Sequence, residues 1–245
     1  MASKAIARGG PTTGADLIVD GLIEAGLNNL YCLSGIQNDA LFNAVFDRRD
    51  EITAVHTRHE QGAAYMALGA SLATGRPSVY AVVPGPGFLN TSAALATAYG
   101  AGGRVLCLTG QIPSAAIGKG LGYLHELPDQ LGILERLTKF AARAGSPETI
   151  RSTWYAAMAA LRGGRPLPVA LEVPMDVLAG AATRVSSPAE VSYEGAETID
   201  EDAVLKAAEL LRRAERPLIF VGGGAQDASD EITSSSDPVW SLITR

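Results

Sequence analysis

The run Arg58-His59-Glu60-Gln61-Gly62-Ala63-Ala64 sets a carboxylate where an apolar segment, Ile52 to Val55, gives way to small residues that run on to Thr74 and stop at Gly75. A helix of Ala and Gly packs closely against whatever covers it. The Glu60 carboxyl is therefore expected to be poorly hydrated, and a desolvated carboxyl holds its proton to higher pH. That chemistry suits a proton relay, with Glu60 as the candidate catalytic residue. A simpler reading stands beside it: the helix dipole alone favours Glu in a first turn, and one short motif does not separate the two.

A second stretch with chemical content is Pro84-Gly85-Pro86-Gly87-Phe88-Leu89-Asn90. Its glycines allow close backbone approach, its prolines stiffen the turn, and Asn90 is placed to cap the helix expected after it. Capping alone would account for Asn90. Of the three histidines, His56 and His59 read as packed or surface residues beside a strand, and His125, in a Gly-rich loop, has the better claim to a site. Without a G-x-S-x-G elbow there is no case for a hydrolase triad. No Walker sequence occurs, and Gly222-Gly223-Gly224-Ala225 departs from G-x-G-x-x-G, so it reads first as a domain-opening turn. Cys32 and Cys107 each lie in an apolar run without zinc-type spacing and read as buried thiols.

These residues need a frame to hold them, and the chain supplies one by alternation. Thr12 or Thr13 caps a helix over Gly14 to Ala25, closed by Gly26. A strand over 30–33 runs into Ser34-Gly35-Ile36 and a helix through Phe46. Strand 52–55, helix 60–74, strand 78–83, helix 90–99 and strand 104–109 follow. Residues 112–127 read as a long loop, 128–139 and 146–161 as helices, and 168–173 as a last buried strand. The pattern predicts an α/β fold: a parallel sheet with helices on both faces. Ligands of open sheets of this kind bind where the strands end.

From Ala179 the composition turns to Ser, Thr, Pro, Gly and Glu, which marks a linker over 179–198 between a first domain, 11–178, and residues 199–245. The latter read as the start of an incomplete second α/β domain: a helix from Asp200 to Ala214, a strand from Pro217, then a break at Ser234-Ser235-Ser236-Asp237-Pro238. About one strand and two helices bury too little for an independent core, so the polypeptide reads as truncated. With 245 residues, 47% hydrophobic content and a formal charge of −6, the chain reads as a soluble globular protein. Scattered basic residues argue against nucleic acid as a partner. No apolar leader and no membrane-length apolar run occurs, so no membrane association is expected and the cytoplasm is the expected location.

Five segments in this order, Ser34-Gly35-Ile36 after a strand, Arg58 to Ala64, Ala73-Thr74-Gly75-Arg76-Pro77, Gly85 to Asn90, and Leu108-Thr109-Gly110-Gln111, strongly resemble the N-terminal pyrimidine-binding domain of thiamine-diphosphate enzymes. Gly164-Arg165-Pro166-Leu167-Pro168-Val169 and Glu172-Val173-Pro174-Met175-Asp176-Val177 resemble the end of that domain in the acetolactate (acetohydroxyacid) synthase branch. The resemblance implies that Glu60 hydrogen-bonds N1′ of the cofactor's aminopyrimidine, where a shared proton favours the tautomer able to deprotonate C2. It implies that Ser34, Gly35, Ile36, Pro84, Gly87 and Asn90 line the pyrimidine pocket. It further implies a 2-keto acid substrate, decarboxylase or carboligase chemistry, and a homodimer or tetramer when complete.

Two departures bear on substrate. Leu124-His125-Glu126 stands where those synthases have Phe-Gln-Glu, and Met175 stands where they have Lys, which removes a positive charge the resemblance sets near the substrate. The Gly-Asp-Gly of the family's diphosphate domain is absent from the 245 residues. Mg2+ is accordingly expected only through that missing domain, FAD only in a full-length member, and the chain is expected to be inactive alone. The alternative is a non-catalytic binding or interaction module of the same fold.

Overall fold

The computed structural model describes residues 12–184, 199–228, 230 and 241–244. They fall in two compact units, Met1–Ala196 and Glu197–Arg245. In the first unit, α1 (Gly14–Glu24) starts at Thr13, whose hydroxyl oxygen accepts from the Asp16 N–H while the Asp16 carboxylate accepts from the Thr13 N–H, a reciprocal cap. Then come β1 (Asn29–Cys32), α2 (Asp39–Asp47), β2 (Thr53–His56), α3 (Glu60–Thr74), β3 (Ser78–Val82), α4 (Pro86–Leu89), α5 (Ser92–Ala101) and β4 (Val105–Gln111). The unit ends with α6 (Gln130–Leu137), β5 (Phe140–Arg143), α7 (Ile150–Arg162), β6 (Val169–Pro174) and α8 (Met175–Ala179).

The six strands form one parallel sheet in the order β2-β1-β3-β4-β6-β5. Successive residues of a strand point to opposite faces, and the core divides accordingly. Val79, Ala81, Leu106 and Leu108 join Leu17, Leu22, Leu41, Trp154 and Leu161 from α1, α2 and α7. Tyr80, Val82, Val105 and Cys107 join Ala63, Ala67, Leu95 and Leu134 from α3, α5 and α6. Helices therefore cover both faces, and β3, β4 and β6, buried throughout, are the continuous apolar runs such a sheet requires.

Several boundaries differ from the sequence-based expectation. The helix expected over 90–99 is α5, which starts at Ser92, and the expected Pro-Gly turn before it holds the short helix α4, so Asn90 ends α4 instead of beginning the next helix; Thr91 precedes α5. The helix expected through Lys139 stops at Leu137, and Phe140–Arg143 pairs with β6 as an unforeseen edge strand. Residues 112–127 carry one 3-10 turn, Ser114–Ala116, and are otherwise irregular as expected.

In the second unit, α9 (Glu201–Arg213) is capped by Asp200, whose carboxylate accepts from the Ala203 N–H at 2.9 Å. β7 (Leu218–Val221) and β8 (Ser241–Thr244) pair in parallel, and Gly223–Ala228 form a 3-10 turn. Most of the expected linker, residues 185–198, and the expected break at 234–238 lie outside the described residues. No helix among the described residues is long and apolar enough to cross a membrane.

Candidate functional site

The sheet order supplies the site's location. The chain leaves β1 for β2 on one side and crosses back to β3 on the other, so a crevice opens at the carboxyl ends of β1 and β3, the usual ligand position in such sheets. Ser34-Gly35-Ile36 follow β1, Glu60 follows β2, and Pro84 to Asn90 follow β3.

Glu60 is the first residue of α3. His59 precedes it as the cap, its Nδ1 accepting from the Gln61 N–H at 3.2 Å, so that histidine has a local structural task. The Asn90 amide donates from Nδ2 to Glu60 Oε2 at 3.0 Å. A Cβ added to Gly87 would lie 3.5 Å from Glu60 Oε1 and 2.5 Å from Val83 Cγ2, so the bare glycine leaves the approach to that oxygen open. A Cβ on Gly35 would meet the same Val83, at 2.6 Å from Cγ1. Gly35 and Gly87 thus close on one valine from two loops.

Pro84 is buried behind this turn, while Ser34 and Ile36 are exposed at the end of β1. The structure brings Glu60, Gly87 and Asn90 into one cluster and links Gly35 to it through Val83; among the described residues no hydrogen bond joins Ser34 or Ile36 to Glu60. The expectation of a poorly hydrated Glu60 is not met by this chain's own atoms. Its position is half-exposed, because α3 is covered by α5 and the sheet on one side only.

The long loop closes over the β3 turn. Gln37 donates to the Leu124 carbonyl at 3.2 Å, and a Cβ on Gly85 would lie 2.4 Å from the His125 carbonyl oxygen. Gly85 has φ +60°, so glycine is required there by conformation and by space. His125 itself has φ 71°, and its Nδ1 is buried without a partner among the described residues. Glu126 turns back into its own loop, accepting from the Tyr123 N–H at 2.9 Å and the Leu121 N–H at 3.3 Å; these backbone bonds hold its carboxyl below the ordinary range. Ser114 at the loop's start bonds Asp176 of α8 through both N–H and hydroxyl.

Beneath the turn lies a buried polar network that residue-type reasoning missed. Glu172 of β6 is fully buried and accepts from Arg143, from Gln111 at 3.2 Å and from Gln130 at 2.8 Å. Gln130 also donates to the Gly110 carbonyl at 3.1 Å, and its Oε1 accepts from the Gly85 N–H at 2.7 Å. Desolvation pushes the Glu172 carboxyl up, against the opposing pull of Arg143. The one sequence signal was a Glu inside the apolar run Val169 to Val173, since a buried charge needs partners. Cys32 and Cys107 are buried as expected, and burial pushes their thiols up to about 11 and about 12.

A half-exposed carboxylate with one oxygen held by an amide and the other facing space kept open by a glycine fits a planar heterocycle carrying a basic ring nitrogen. The cluster lies at the switch point of a parallel α/β sheet, where ligands of such sheets bind. Residues 12–133 match the family described as thiamine pyrophosphate enzyme, N-terminal TPP binding domain, and the chain belongs to that family.

The chain is similar to a probable 2-ketoarginine decarboxylase, AruI, of Pseudomonas aeruginosa, 34% identical over 92% of this chain and 40% of that protein. It is also similar to a probable acetolactate synthase large subunit of Methanocaldococcus jannaschii, 34% identical over 89% of this chain and 37% of that protein. The acetolactate synthase isozyme 1 large subunit of Escherichia coli is 30% identical over 88% and 38%. The chain thus spans well under half the length of these relatives.

Proposed function

We propose that this chain supplies the pyrimidine-binding side of a thiamine-diphosphate 2-keto acid decarboxylase or carboligase. The observation that carries the reading is the Asn90–Glu60 hydrogen bond at 3.0 Å beside Gly87. Asn90 orients the carboxylate and occupies Oε2, so Oε1 is presented to a ring nitrogen, where Glu60 holds or releases the proton shared with it. The bound cofactor would supply the electron sink for decarboxylation. Gly35 and Gly87 admit the ring, and Ser34, Ile36 and Pro84 complete the pocket in this reading. Mg2+ and the diphosphate are assigned to a further domain, FAD to a full-length member only, and the chain alone to an inactive state in the cytoplasm.

The substrate side differs from that of the synthases. Met175 brings no charge where a lysine is expected, and a similar protein carries the name probable 2-ketoarginine decarboxylase. A lysine would repel a cationic substrate side chain and Met175 does not, which favours a 2-keto acid with a cationic tail.

Titration of the isotope-labelled chain with millimolar thiamine diphosphate tests the reading. Resonances of Glu60, Gly87 and Asn90 are expected to move together, with C2 exchange of the cofactor no faster than in free solution. No movement at these three residues would overturn it in favour of a non-catalytic module.

A further inference from the structure

We propose that Gln130 is a positioning residue that sets the Glu60–Asn90 pair from the far side of the sheet end, acting through Gly85. The proposal deepens the pyrimidine-site reading and rests on it for its purpose, though not for its mechanics.

The side-chain amide of Gln130 has little choice of orientation. It is 1% exposed, and its two neighbours other than Gly85 are acceptors: the Gly110 carbonyl and the Glu172 carboxylate. Nε2 must face them, so Oε1 must face the Gly85 N–H. Glu172 is in turn held in place by Arg143 of the neighbouring strand and by Gln111. The position of Gln130 in the chain is equally fixed, because it opens α6 behind the Asp129 cap, whose carboxylate accepts from the Gly132 N–H at 2.9 Å.

Gly85 passes this constraint on. Its N–H faces Gln130, and its carbonyl accepts from the Leu89 N–H at 2.9 Å to close the single turn of α4. The Pro86 carbonyl accepts from the Asn90 N–H at 3.0 Å, so the direction of the Gly85 peptide fixes where Asn90 leaves the turn. Gly85 has φ +60°, with the His125 backbone packed beneath it, so its peptide direction is set by the Gln130 acceptor on one side and that backbone on the other. Without the Gln130 acceptor the N–H would be buried and unsatisfied, and the peptide would rotate to find another partner. Asn90 would move with it, and Glu60 would lose its orienting donor.

The test uses the 245-residue chain with three variants. Gln130→Met keeps the volume and removes all three hydrogen bonds; Glu172→Gln removes the charge and the acceptor facing Arg143 and keeps one oxygen for Gln130; Trp154→Phe, in the opposite core layer, is a destabilised control. Amide hydrogen exchange at Gly85 and the side-chain amide resonances of Asn90 are read by NMR. In Gln130→Met, Gly85 exchange is expected to rise about tenfold or more beyond the change in the control, the scale of an N–H left without its acceptor. The Asn90 amide resonances shift in the same variant. Glu172→Gln is expected to move both signals the same way by less, which keeps the proposal testable if Gln130→Met does not fold. Gly85 and Asn90 signals that track the control in either folded variant overturn it. Absence of thiamine diphosphate binding by the wild-type chain would count against the proposed function and leave this readout intact.

Discussion

Asn90 and Glu60 lie 30 positions apart in the chain, yet the Asn90 amide donates to the Glu60 carboxylate at 3.0 Å. Neither residue is where it is for its own helix alone. Asn90 ends the single turn of α4 and Glu60 opens α3, so two helix termini from adjacent loops converge on one hydrogen bond. A capping role would leave the Asn90 side chain on its own backbone; the structure sends it to Glu60.

Asn90→Ala therefore separates the two roles. Asn90 is exposed, so thermal unfolding should show a stability change within about 0.5 kcal/mol. Cofactor binding, followed by the titration above, should weaken by about three- to tenfold, the scale of one net hydrogen bond at a half-exposed site.

Gly85 and Gly87 should fail in different ways. Gly85→Ala sets a Cβ 2.4 Å from the His125 carbonyl oxygen at φ +60°, a clash with backbone that cannot swing aside. A loss of about 3 kcal/mol or more is expected in urea unfolding, from strain and overpacking together. Gly87→Ala meets a Val83 methyl instead, and a smaller loss of about 1–2 kcal/mol is expected, together with a blocked approach to Glu60 Oε1. Cofactor-induced shifts at Glu60 should then vanish in a folded protein.

Much of this frame was legible before any coordinates. Helix Glu60–Thr74 was readable to the residue because an acidic first turn and a left-handed Gly75 at the end are local signals. The buried strands were readable from unbroken apolar runs. Edge strand Phe140–Arg143 was not, since Phe-Ala-Ala-Arg has neither β-branched residues nor a two-residue alternation, and half-burial gave it no other mark. The break between Leu89 and Ser92 was hidden because Asn90 reads as a cap for the helix after it. The Glu172–Gln130–Gln111 network joins residues 42 and 61 positions apart, and only strand order brings β4, β6 and the start of α6 together.

The buried Glu172 makes a pH prediction. Its carboxyl is raised above the ordinary 4.5 mainly by desolvation, so the folded state binds a proton more tightly than the unfolded state does. Stability from this group is then gained as pH falls through the raised value toward 4.5 and lost as pH rises. Glu172→Gln keeps one acceptor for the glutamines and leaves Arg143, which is partly exposed, to water; it should cost about 1–2 kcal/mol at pH 7. Urea unfolding of both proteins should show the wild type gaining on the variant with acidification in that window. A constant difference, or one that shrinks toward the variant, would contradict the assignment.

The outer side of α3 and α5 carries Tyr65, Met66, Leu72 and Tyr99 exposed at 40%, 44%, 50% and 43%, with the Tyr65 and Thr97 hydroxyls 3.2 Å apart between the helices. Exposed apolar side chains on two neighbouring helices favour association. Sedimentation should show the chain self-associating at high concentration, and Met66→Lys should shift it toward monomer; a wild-type monomer throughout would remove this face from the account.

In the proposed function, Glu60 controls the proton on the cofactor's pyrimidine. Hydrogen–deuterium exchange at C2 of thiamine diphosphate measures that step without knowledge of the substrate, in a protein that joins this chain to a domain able to hold the diphosphate. Glu60→Gln should keep the fold and most of the binding while slowing exchange by about 10²–10⁴. Exchange at the unmodified rate in the Gln variant would reduce Glu60 to a helix-opening residue and contradict the account.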